Sequence, residues 1–427
     1  MKTRNGFVSN SSSSSFLLLG IKREEEIDGF DADQCSYKKY YYGNTLVYGL
    51  DDESDFEIDF SELSEKSKQI AEKFNVDISE VKLYIDTSEW QGIKMKINEN
   101  VKMKNVRSES YNYVFNKESG FFARWGKTMD SNPEFSPFGP EIADIEISTV
   151  CNMGCDYCYK SNTSSGSNMS FETLQKVITT INPNNVLTQV AFGLGATAEE
   201  NPDLWKMCDW LRSVGIIPNG TVANISDETA DKISSKFGAC AVSYHGNKDI
   251  CYNSIKRLTD RGLKQTNMHF VIYEENFEET LDVLHDIQKD SRLKLLNAIV
   301  FLSLKKKGRA EGNVFNTLSQ DKFSKIVDYC FDRKIPFGFD SCSAHKFMKA
   351  IENNKDKEKL IEVVEPCESG LFSLYSNVEG KYFPCSFSEY GEGVDLTNCN
   401  NFLEMWNKNS FRNKLISNNR NCPIYNI

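Results

Sequence analysis

Three cysteines spaced CxxxCxxC decide how this sequence folds: Cys151-Asn152-Met153-Gly154-Cys155-Asp156-Tyr157-Cys158. The triad directly follows the apolar run 142–147, which is typical of a buried β-strand. Three thiolates this close in sequence can ligate three irons of a four-iron cluster and leave the fourth iron open. A structural zinc site would need a closed set of four ligands, and no fourth Cys or His lies near this loop. The spacing therefore favours an iron–sulfur cluster with one open position over zinc.

Strand and helix patterns alternate regularly from about residue 140 onward. The segments between the strands space their apolar residues like one buried helix face, as Leu174, Val177, Ile178 and Ile181 do. Alternating strands and helices predict a parallel sheet, and right-handed crossovers place the helices on one face of it. The sequence thus predicts an α/β fold containing a partial (β/α)6 TIM-like barrel. Its six strand segments are 142–147, 186–192, 216–222, 239–243, 268–272 and 298–304.

Local signals predict where several helices begin and end. Ser226 is a favourable N-cap, and Gly262 is typical of a helix stop. Asn276 with Glu279 three residues later predicts a capping box at the start of another helix. Four further cysteines lie on apolar strand or helix faces, which favours small core residues over metal ligands: Cys208, Cys240, Cys251 and Cys330.

Composition narrows the class of protein. The 427 residues predict two or three domains, and no apolar run is long enough for a membrane span. We expect a cytoplasmic protein whose thiols stay reduced, so that clustered cysteines hold metal. A net charge of −11 argues against broad binding to nucleic acid. The densest basic run, 305–309, is either a local basic patch or a solvated loop.

The triad resembles the CxxxCx(aromatic)C signature of the radical S-adenosylmethionine superfamily, with Tyr157 in the aromatic position. The fold of that superfamily is a partial barrel with its cluster loop after the first strand. The resemblance implies that Cys151, Cys155 and Cys158 hold a [4Fe-4S] cluster whose open iron binds S-adenosylmethionine. It also implies reductive cleavage of that cofactor to a 5′-deoxyadenosyl radical, and an electron donor such as flavodoxin or ferredoxin.

The same resemblance points to further cofactor contacts. Superfamily members usually carry a GGEP-like turn after the second strand, where this sequence has Ala-Phe-Gly-Leu-Gly-Ala-Thr-Ala-Glu-Glu-Asn-Pro-Asp-Leu over 191–204. The Gly-Glu-Pro core is missing, and Gly193 and Gly195 are the residues that allow close backbone approach to the methionine moiety. A degenerate homologue that does not cleave the cofactor stays an alternative.

Other residues of the barrel mouth are candidates for polar contacts. By the resemblance, Tyr157 packs near the adenine and Ser243 contacts the ribose or the carboxylate. His245 is a proton-transfer residue or a hydrogen-bonded loop histidine. Arg309 pairs with a carboxylate of methionine or substrate, or is a surface charge.

Cysteines beyond the barrel have a different spacing. The segments 371–376 and 382–383 predict a hairpin with a turn at 377–380 and a cysteine near each base. This region resembles the SPASM/Twitch extensions, which carry auxiliary iron–sulfur clusters and favour a peptide or protein substrate. The resemblance implies one auxiliary [4Fe-4S] cluster, and a zinc site with the same ligands is the alternative. The ligand set is Cys342, Cys367, Cys385 and Cys422.

We divide the chain into a Ser-rich flexible segment (1–20), an α+β region with connector (21–139), the barrel (140–335) and the SPASM/Twitch-like extension (336–427). In the second region we predict a helix near 61–74 and strands at 81–85 and 93–97, and the proline-containing segment 121–141 is predicted to be an extended connector into the barrel. The run Gly-Phe-Val-Ser-Asn-Ser-Ser-Ser-Ser-Ser-Phe over 6–16 is a plain tail, a recognition tag or a substrate segment. It resembles an N-terminal motif of small phage and bacterial proteins.

The main hypothesis is a radical S-adenosylmethionine enzyme that abstracts hydrogen from a ribosomally made peptide or protein. The alternative is a catalytically degenerate iron–sulfur or zinc-binding interaction protein with the same fold. A nucleic-acid modifier is a third class, which the acidic balance disfavours.

Overall fold

The structure is a computed structural model that describes residues 2–4, 15–16, 37–42, 45–50, 103–362, 364–389 and 391–424. The chain forms two compact units, of which one comprises 18–101 and the other comprises 1–17 and 102–427. The helix predicted near 61–74 and the strands predicted at 81–85 and 93–97 lie outside the described residues.

Seventeen strands occur in the described residues. They are β1 Lys2–Arg4, β2 Ser15–Phe16, β3 Tyr37–Tyr42, β4 Thr45–Leu50, β5 Met103–Val106, β6 Asn112–Asn116, β7 Phe122–Trp125, β8 Ile142–Glu146, β9 Gln189–Gly193, β10 Ile217–Val222, β11 Cys240–Ser243, β12 Thr266–Ile272, β13 Ala298–Ser303, β14 Phe337–Phe339, β15 Ser373–Ser376, β16 Lys381–Phe383 and β17 Val394–Asp395. In the smaller unit, β3 and β4 form an antiparallel pair.

The α-helices of the described residues all come after β8 in the chain. They are α1 Phe171–Ile181, α2 Leu204–Ser213, α3 Asp227–Lys236, α4 Lys248–Asp260, α5 Phe277–Lys289, α6 Gln320–Asp332, α7 Ala344–Ala350, α8 Lys357–Glu362, α9 Phe402–Asn407 and α10 Ser410–Ser417. None of them is both long enough and apolar enough to cross a membrane.

One large sheet organises the main unit. Its described strands lie in the order β17-β16-β15-β8-β9-β10-β11-β12-β13-β14-β2. Neighbours from β15 through β8 to β14 run parallel, whereas β16, β17 and β2 add antiparallel strands at the two edges. The six predicted strands are β8 to β13, and they pair in chain order. The α/β class is therefore confirmed, and β14 and β15 extend the parallel region on either side of those six strands.

The predicted hairpin is also present, since β15 pairs antiparallel with β16. Its first strand pairs parallel with β8 as well, with Tyr375 opposite Asp144. The segment that contains β15 and β16 therefore extends the sheet beside β8, the strand that precedes the cysteine triad.

Helix boundaries show which local signals decide the structure. The Ser226 side chain accepts a hydrogen bond from the Thr229 N–H (3.1 Å), so the predicted N-cap of α3 is confirmed. The capping box predicted for α5 is wrong. Asn276 precedes the helix, but its side chain instead accepts from the Tyr273 N–H (2.9 Å), and Glu279 accepts from the Tyr244 hydroxyl (2.8 Å). A local backbone N–H thus takes the Asn276 side chain, and a distant hydroxyl takes the Glu279 side chain.

A smaller antiparallel sheet of order β1-β7-β6-β5 lies at the amino ends of the parallel strands. Tyr113 packs in a buried cluster with Val186 and Ile217, and its hydroxyl donates to the Val186 carbonyl (2.7 Å). Strand β7 lies within 121–141, the segment predicted to be an extended connector. Because this sheet covers the amino ends, the carboxyl ends are left for a binding site, as in other parallel α/β folds.

The two faces of the parallel sheet differ in chemistry. Alternate residues of a strand point to opposite faces. One set, such as Val190 and Phe192, belongs to the core shared with the helices, as do the four predicted core cysteines. The other set includes polar residues that are almost fully buried: Asn219, Asn267 and His269. Burial lowers the pKa of His269 to about 4.

Candidate functional site

The cysteine triad lies on the loop that leaves the carboxyl end of β8. The Cys151 N–H donates to the Thr163 carbonyl (2.9 Å), and the Cys158 N–H donates to the Cys155 carbonyl (3.1 Å), which folds the loop back on itself. All three thiols are half-buried. Burial, together with the neighbouring Cys158 and Cys151, raises the pKa of Cys155. The three sulfur atoms therefore lie close enough to one another to interact electrostatically.

Arg309, which comes after β13, also binds this loop through hydrogen bonds. Its Nε donates to the Cys155 carbonyl (2.8 Å) and its Nη1 to the Asn162 carbonyl (2.9 Å). Its backbone N–H donates to the Cys158 carbonyl (2.9 Å). The preceding Gly308 has a φ of +61°, and a Cβ there would lie 2.5 Å from the Tyr159 carbonyl oxygen. Arg309 therefore contacts the backbone of the cysteine loop.

The basic run 305–309 is neither a surface patch nor a solvated loop. Lys305 is buried and forms an ion pair with Asp340. Lys307 donates to the Ser386 carbonyl (2.9 Å). Together with Arg309, these side chains connect the segment after β13 to three neighbouring loops.

The rings of three residues lie around Tyr157. Its ring stacks on His245 (centroids 5.9 Å apart), and Tyr273 and Phe315 lie 6.1 and 6.4 Å away. The Tyr157 hydroxyl and His245 Nδ1 are 2.6 Å apart, and the same nitrogen lies 3.4 Å from the Cys155 sulfur. His245 thus touches a residue of the triad. Ser243 lies half-buried at the end of β11.

The segment that replaces the GGEP-like turn packs against the cysteine loop. A Cβ at Gly195 would lie 2.3 Å from the Val150 carbonyl oxygen and 2.5 Å from Glu200 Cδ, so only glycine fits. A Cβ at Gly193 would lie 3.0 Å from Glu146 Cα. Glu200 Oε1 accepts from the Thr197 N–H (2.9 Å), whereas its buried Oε2 has no hydrogen-bond partner in the part of the chain that is described. An unpaired carboxylate oxygen beside the triad suits a ligand ammonium group.

The four later cysteines influence one another electrostatically. Burial raises the pKa of Cys367 to about 11, and the neighbouring Cys385 and Cys422 contribute to this shift. A hydrogen bond with Cys422, followed by burial, raises the pKa of Cys342 well above its usual value. These cysteines are far apart in the sequence, so only the tertiary structure can bring their thiols within electrostatic range of one another.

The donor chemistry of both cysteine sets fits iron–sulfur clusters, since thiolates are the usual cluster ligands. In the described ranges, no three or more Cys, His, Asp or Glu side chains are arranged so that they could already hold a metal ion. Ligation therefore requires that the thiols turn toward a common centre.

Four charged or hydroxyl side chains near the triad were not singled out from the sequence. Lys160, two residues after Cys158, contacts Glu146, Tyr375 and Glu389. Lys160, Glu146 and Glu389 line a cavity of about 400 Å³ beside the cysteine loop. These residues are far apart in the chain, so the sequence does not show that they meet. The one signal that could have identified any of them is the position of Glu146 at the end of a predicted strand.

No protein-family model matches this sequence, and no curated protein matches it either. Solved structures do match. Streptococcus suis SuiB, alone and bound to S-adenosylmethionine, aligns with a TM-score of 0.50 and 14% identity over 66% of this chain and 68% of SuiB. The chain shares its fold with SuiB. The resemblance given by the triad is thereby confirmed for the fold.

A further SuiB structure, bound to the precursor peptide SuiA, aligns over more of both chains. Its TM-score is 0.56 at 12% identity, over 74% of this chain and 89% of that chain. Identities this low carry the fold, and the activity has to be argued from the site.

Proposed function

We propose that this chain is a radical S-adenosylmethionine enzyme in which Cys151, Cys155 and Cys158 hold a [4Fe-4S] cluster. The observation that carries the proposal is the position of the triad, on the loop after β8 in a SuiB-like fold. Bound there, the cluster and S-adenosylmethionine supply the one-electron chemistry that abstracts hydrogen from a substrate. The residues of this chain bind the two groups, orient them and exclude water.

The methionine end of the cofactor has a place beside the glycines. Gly193 and Gly195 remain the proposed backbone contacts of the methionine moiety, although the space that their Cβ atoms would take is filled by Glu146, Val150 and Glu200. The unpaired Glu200 Oε2 is suited to accept from an ammonium group. The ring of Tyr157 offers an aromatic face for the adenine. Ser243, at the end of β11, is available for a ribose or carboxylate contact.

We assign Arg309 to the protein loop rather than to a cofactor carboxylate. Two of its nitrogens already donate to the Cys155 and Asn162 carbonyls. A charged donor on backbone carbonyls fixes their orientation. Arg309 is then a positioning residue that sets the shape of the loop carrying the three thiols.

Cys342, Cys367, Cys385 and Cys422 hold one auxiliary [4Fe-4S] cluster in this proposal. Support comes from the mutual electrostatic influence of their buried thiols. Zinc on the same four ligands is the competing assignment. Anaerobic metal and sulfide analysis separates the two, because two cubanes require about eight irons per chain.

The substrate is proposed to be a ribosomally made peptide or protein, by analogy with SuiB, which has been solved bound to its precursor peptide SuiA. A flavodoxin or ferredoxin is the proposed electron donor, and the cytoplasm the proposed location.

Anaerobic reconstitution followed by dithionite and S-adenosylmethionine tests the proposed activity. We expect 5′-deoxyadenosine from the wild type and none from Cys155→Ala. Cys251→Ala, on the core face of α4 and outside both ligand sets, is the matched control and should keep the activity. A cluster that binds without cofactor cleavage would support the degenerate interaction protein instead.

A further inference from the structure

A cavity of about 400 Å³ opens beside the cysteine loop at the carboxyl end of β8. Its walls come from the segment after Cys158, from the turn between β15 and β16, and from the segment after Cys385. The side chains that matter here are Glu146, Thr149, Lys160, Thr163, Asn377 and Glu389.

Buried charges form one wall. Lys160 Nζ lies 3.2 Å from Glu146 Oε1, donates to the Tyr375 hydroxyl (2.6 Å) and contacts Glu389. The Tyr375 hydroxyl donates to Glu146 Oε2 (2.9 Å). Asn377 donates to Glu389 Oε1 (3.2 Å). The side chains of Glu146 and Lys160 are only 6% and 11% exposed, so this wall is built into the fold.

The charges in this wall are balanced. Two carboxylates, Glu146 and Glu389, face two ammonium groups, Lys160 and Lys307. A third carboxylate, Glu379, pairs with Lys381 at the exposed rim (2.6 Å). Any charged ligand group placed inside therefore adds a charge without a partner, which is costly in a partly buried site.

The remaining wall is polar but uncharged. Its hydroxyl and amide side chains are Thr149, Ser161, Asn162, Thr163, Ser167 and Asn377, and Tyr159 and Val378 add an aromatic ring and an aliphatic side chain. Hydroxyls and amides can both donate and accept hydrogen bonds. A ligand hydroxyl or amide can form hydrogen bonds with these groups, whereas an apolar ligand group placed against them gains none.

We infer that this cavity binds a hydroxyl- or carboxamide-bearing side chain of the substrate peptide, as in serine, threonine, asparagine or glutamine. This inference rests on the proposed function, and it names the substrate class of that site. The three N–H groups of Lys160 already have partners in Glu146, Tyr375 and Glu389. A hydroxyl in the cavity therefore donates to a Glu389 oxygen and accepts from a hydroxyl or amide of the uncharged wall. Because Lys160 lies two residues after Cys158, such a side chain is held next to the cysteine loop.

Binding to the purified full chain, without turnover, tests the inference. The probes are four acetylated, amidated pentapeptides of sequence Gly-Gly-X-Gly-Gly, with X as serine, aspartate, lysine or leucine, measured by calorimetry. We expect the serine peptide to bind at least about tenfold more tightly than the other three. Equal binding of the four peptides, no measurable binding of any, or a preference for leucine overturns the inference.

Charge substitutions sharpen the test. Glu389→Gln leaves one excess ammonium in the cavity, so the aspartate peptide should gain affinity relative to serine. Lys160→Met leaves one excess carboxylate, so the lysine peptide should gain instead. Glu404→Gln removes an exposed carboxylate paired with Lys408, outside the cavity, and should change no preference. Unchanged preferences in both cavity variants, with folding verified by circular dichroism, would contradict the inference.

The two proposals fail separately. Loss of cofactor cleavage with an intact serine preference removes the radical function alone. Cofactor cleavage without any side-chain preference removes the cavity assignment alone.

Discussion

The ring of Tyr159 lies 4.6 Å from the ring of Phe387, measured between centroids. Tyr159 follows Cys158, and Phe387 lies two residues after Cys385. Lys305 Nζ also lies 4.9 Å from the centre of the Phe387 ring. This aromatic contact therefore joins the loop of the first cysteine set to a loop of the second set.

We expect a double-mutant cycle with Tyr159→Leu and Phe387→Leu to give a coupling of about 0.5–1.5 kcal/mol in the free energy of unfolding, the usual value for an aromatic pair. Leucine keeps much of the apolar area and removes the ring interaction. Denaturant titration measures the coupling. Strict additivity of the two single substitutions would show that the loops are not coupled through these rings.

Arg309→Gln is expected to lower the iron content of reconstituted protein, because two charged hydrogen bonds to the cysteine loop are lost. Arg309→Lys should rescue it only in part, since an ammonium group cannot reproduce the two-nitrogen geometry. Arg257→Gln, which removes a half-buried guanidinium that pairs with Asp227 far from the cysteine loop in the chain, is the control. The readouts are iron and sulfide per chain and the electron paramagnetic resonance spectrum. A wild-type spectrum and iron content in Arg309→Gln would refute the positioning role.

Arg124 is fully buried between Glu141 (2.8 Å) and Glu368 (2.9 Å). Replacement by methionine leaves the buried Glu141 without its cation, whereas Glu368 keeps Arg4 at 3.3 Å and Arg420 at 3.7 Å. We expect a loss of about 3–5 kcal/mol in the free energy of unfolding, typical for removal of one partner of a buried pair. Chemical denaturation measures it, and a loss below about 1 kcal/mol would mean that water or another cation replaces the guanidinium.

His269 makes the folded state sensitive to acid. Burial lowers its pKa to about 4 from an ordinary 6.5, so the unfolded chain binds the extra proton between these two values. The stability contribution is complete above pH 6.5 and is lost as the pH falls toward 4, with a total of roughly 3 kcal/mol. His269→Gln should flatten the stability profile over this range, whereas His285→Gln on the exposed side of α5 should not. An unchanged slope in His269→Gln would assign the acid sensitivity to other groups.

The parts of the fold that the sequence predicts correctly depend on local patterns. The apolar runs that became β8 to β13 are continuous because strands of a parallel sheet are buried on both faces. Ser226 caps α3 because its partner, the Thr229 N–H, is three residues away. Each of these signals needs only a short stretch of chain.

The parts that the sequence does not predict depend on contacts between distant segments. Glu146 and Tyr375 are 229 residues apart, yet they share a hydrogen bond because β15 pairs beside β8. No periodicity in either segment encodes that pairing. Similarly, Glu279 has a local partner available in Asn276 but bonds to Tyr244. Arg309 was expected to pair with a carboxylate or to be a surface charge, whereas it contacts backbone carbonyls. Every residue has a backbone carbonyl, so the sequence does not indicate which of them a side chain will contact.

The central claim is an iron with an open position for S-adenosylmethionine on the loop of Cys151, Cys155 and Cys158. Electron paramagnetic resonance of the anaerobically reduced protein, with and without S-adenosylmethionine, tests it most directly. The account predicts a [4Fe-4S]⁺ signal that changes when the cofactor is added, and loss of that change in Cys155→Ala. A spectrum that S-adenosylmethionine leaves unaltered, or zinc in place of iron on this loop, would contradict it.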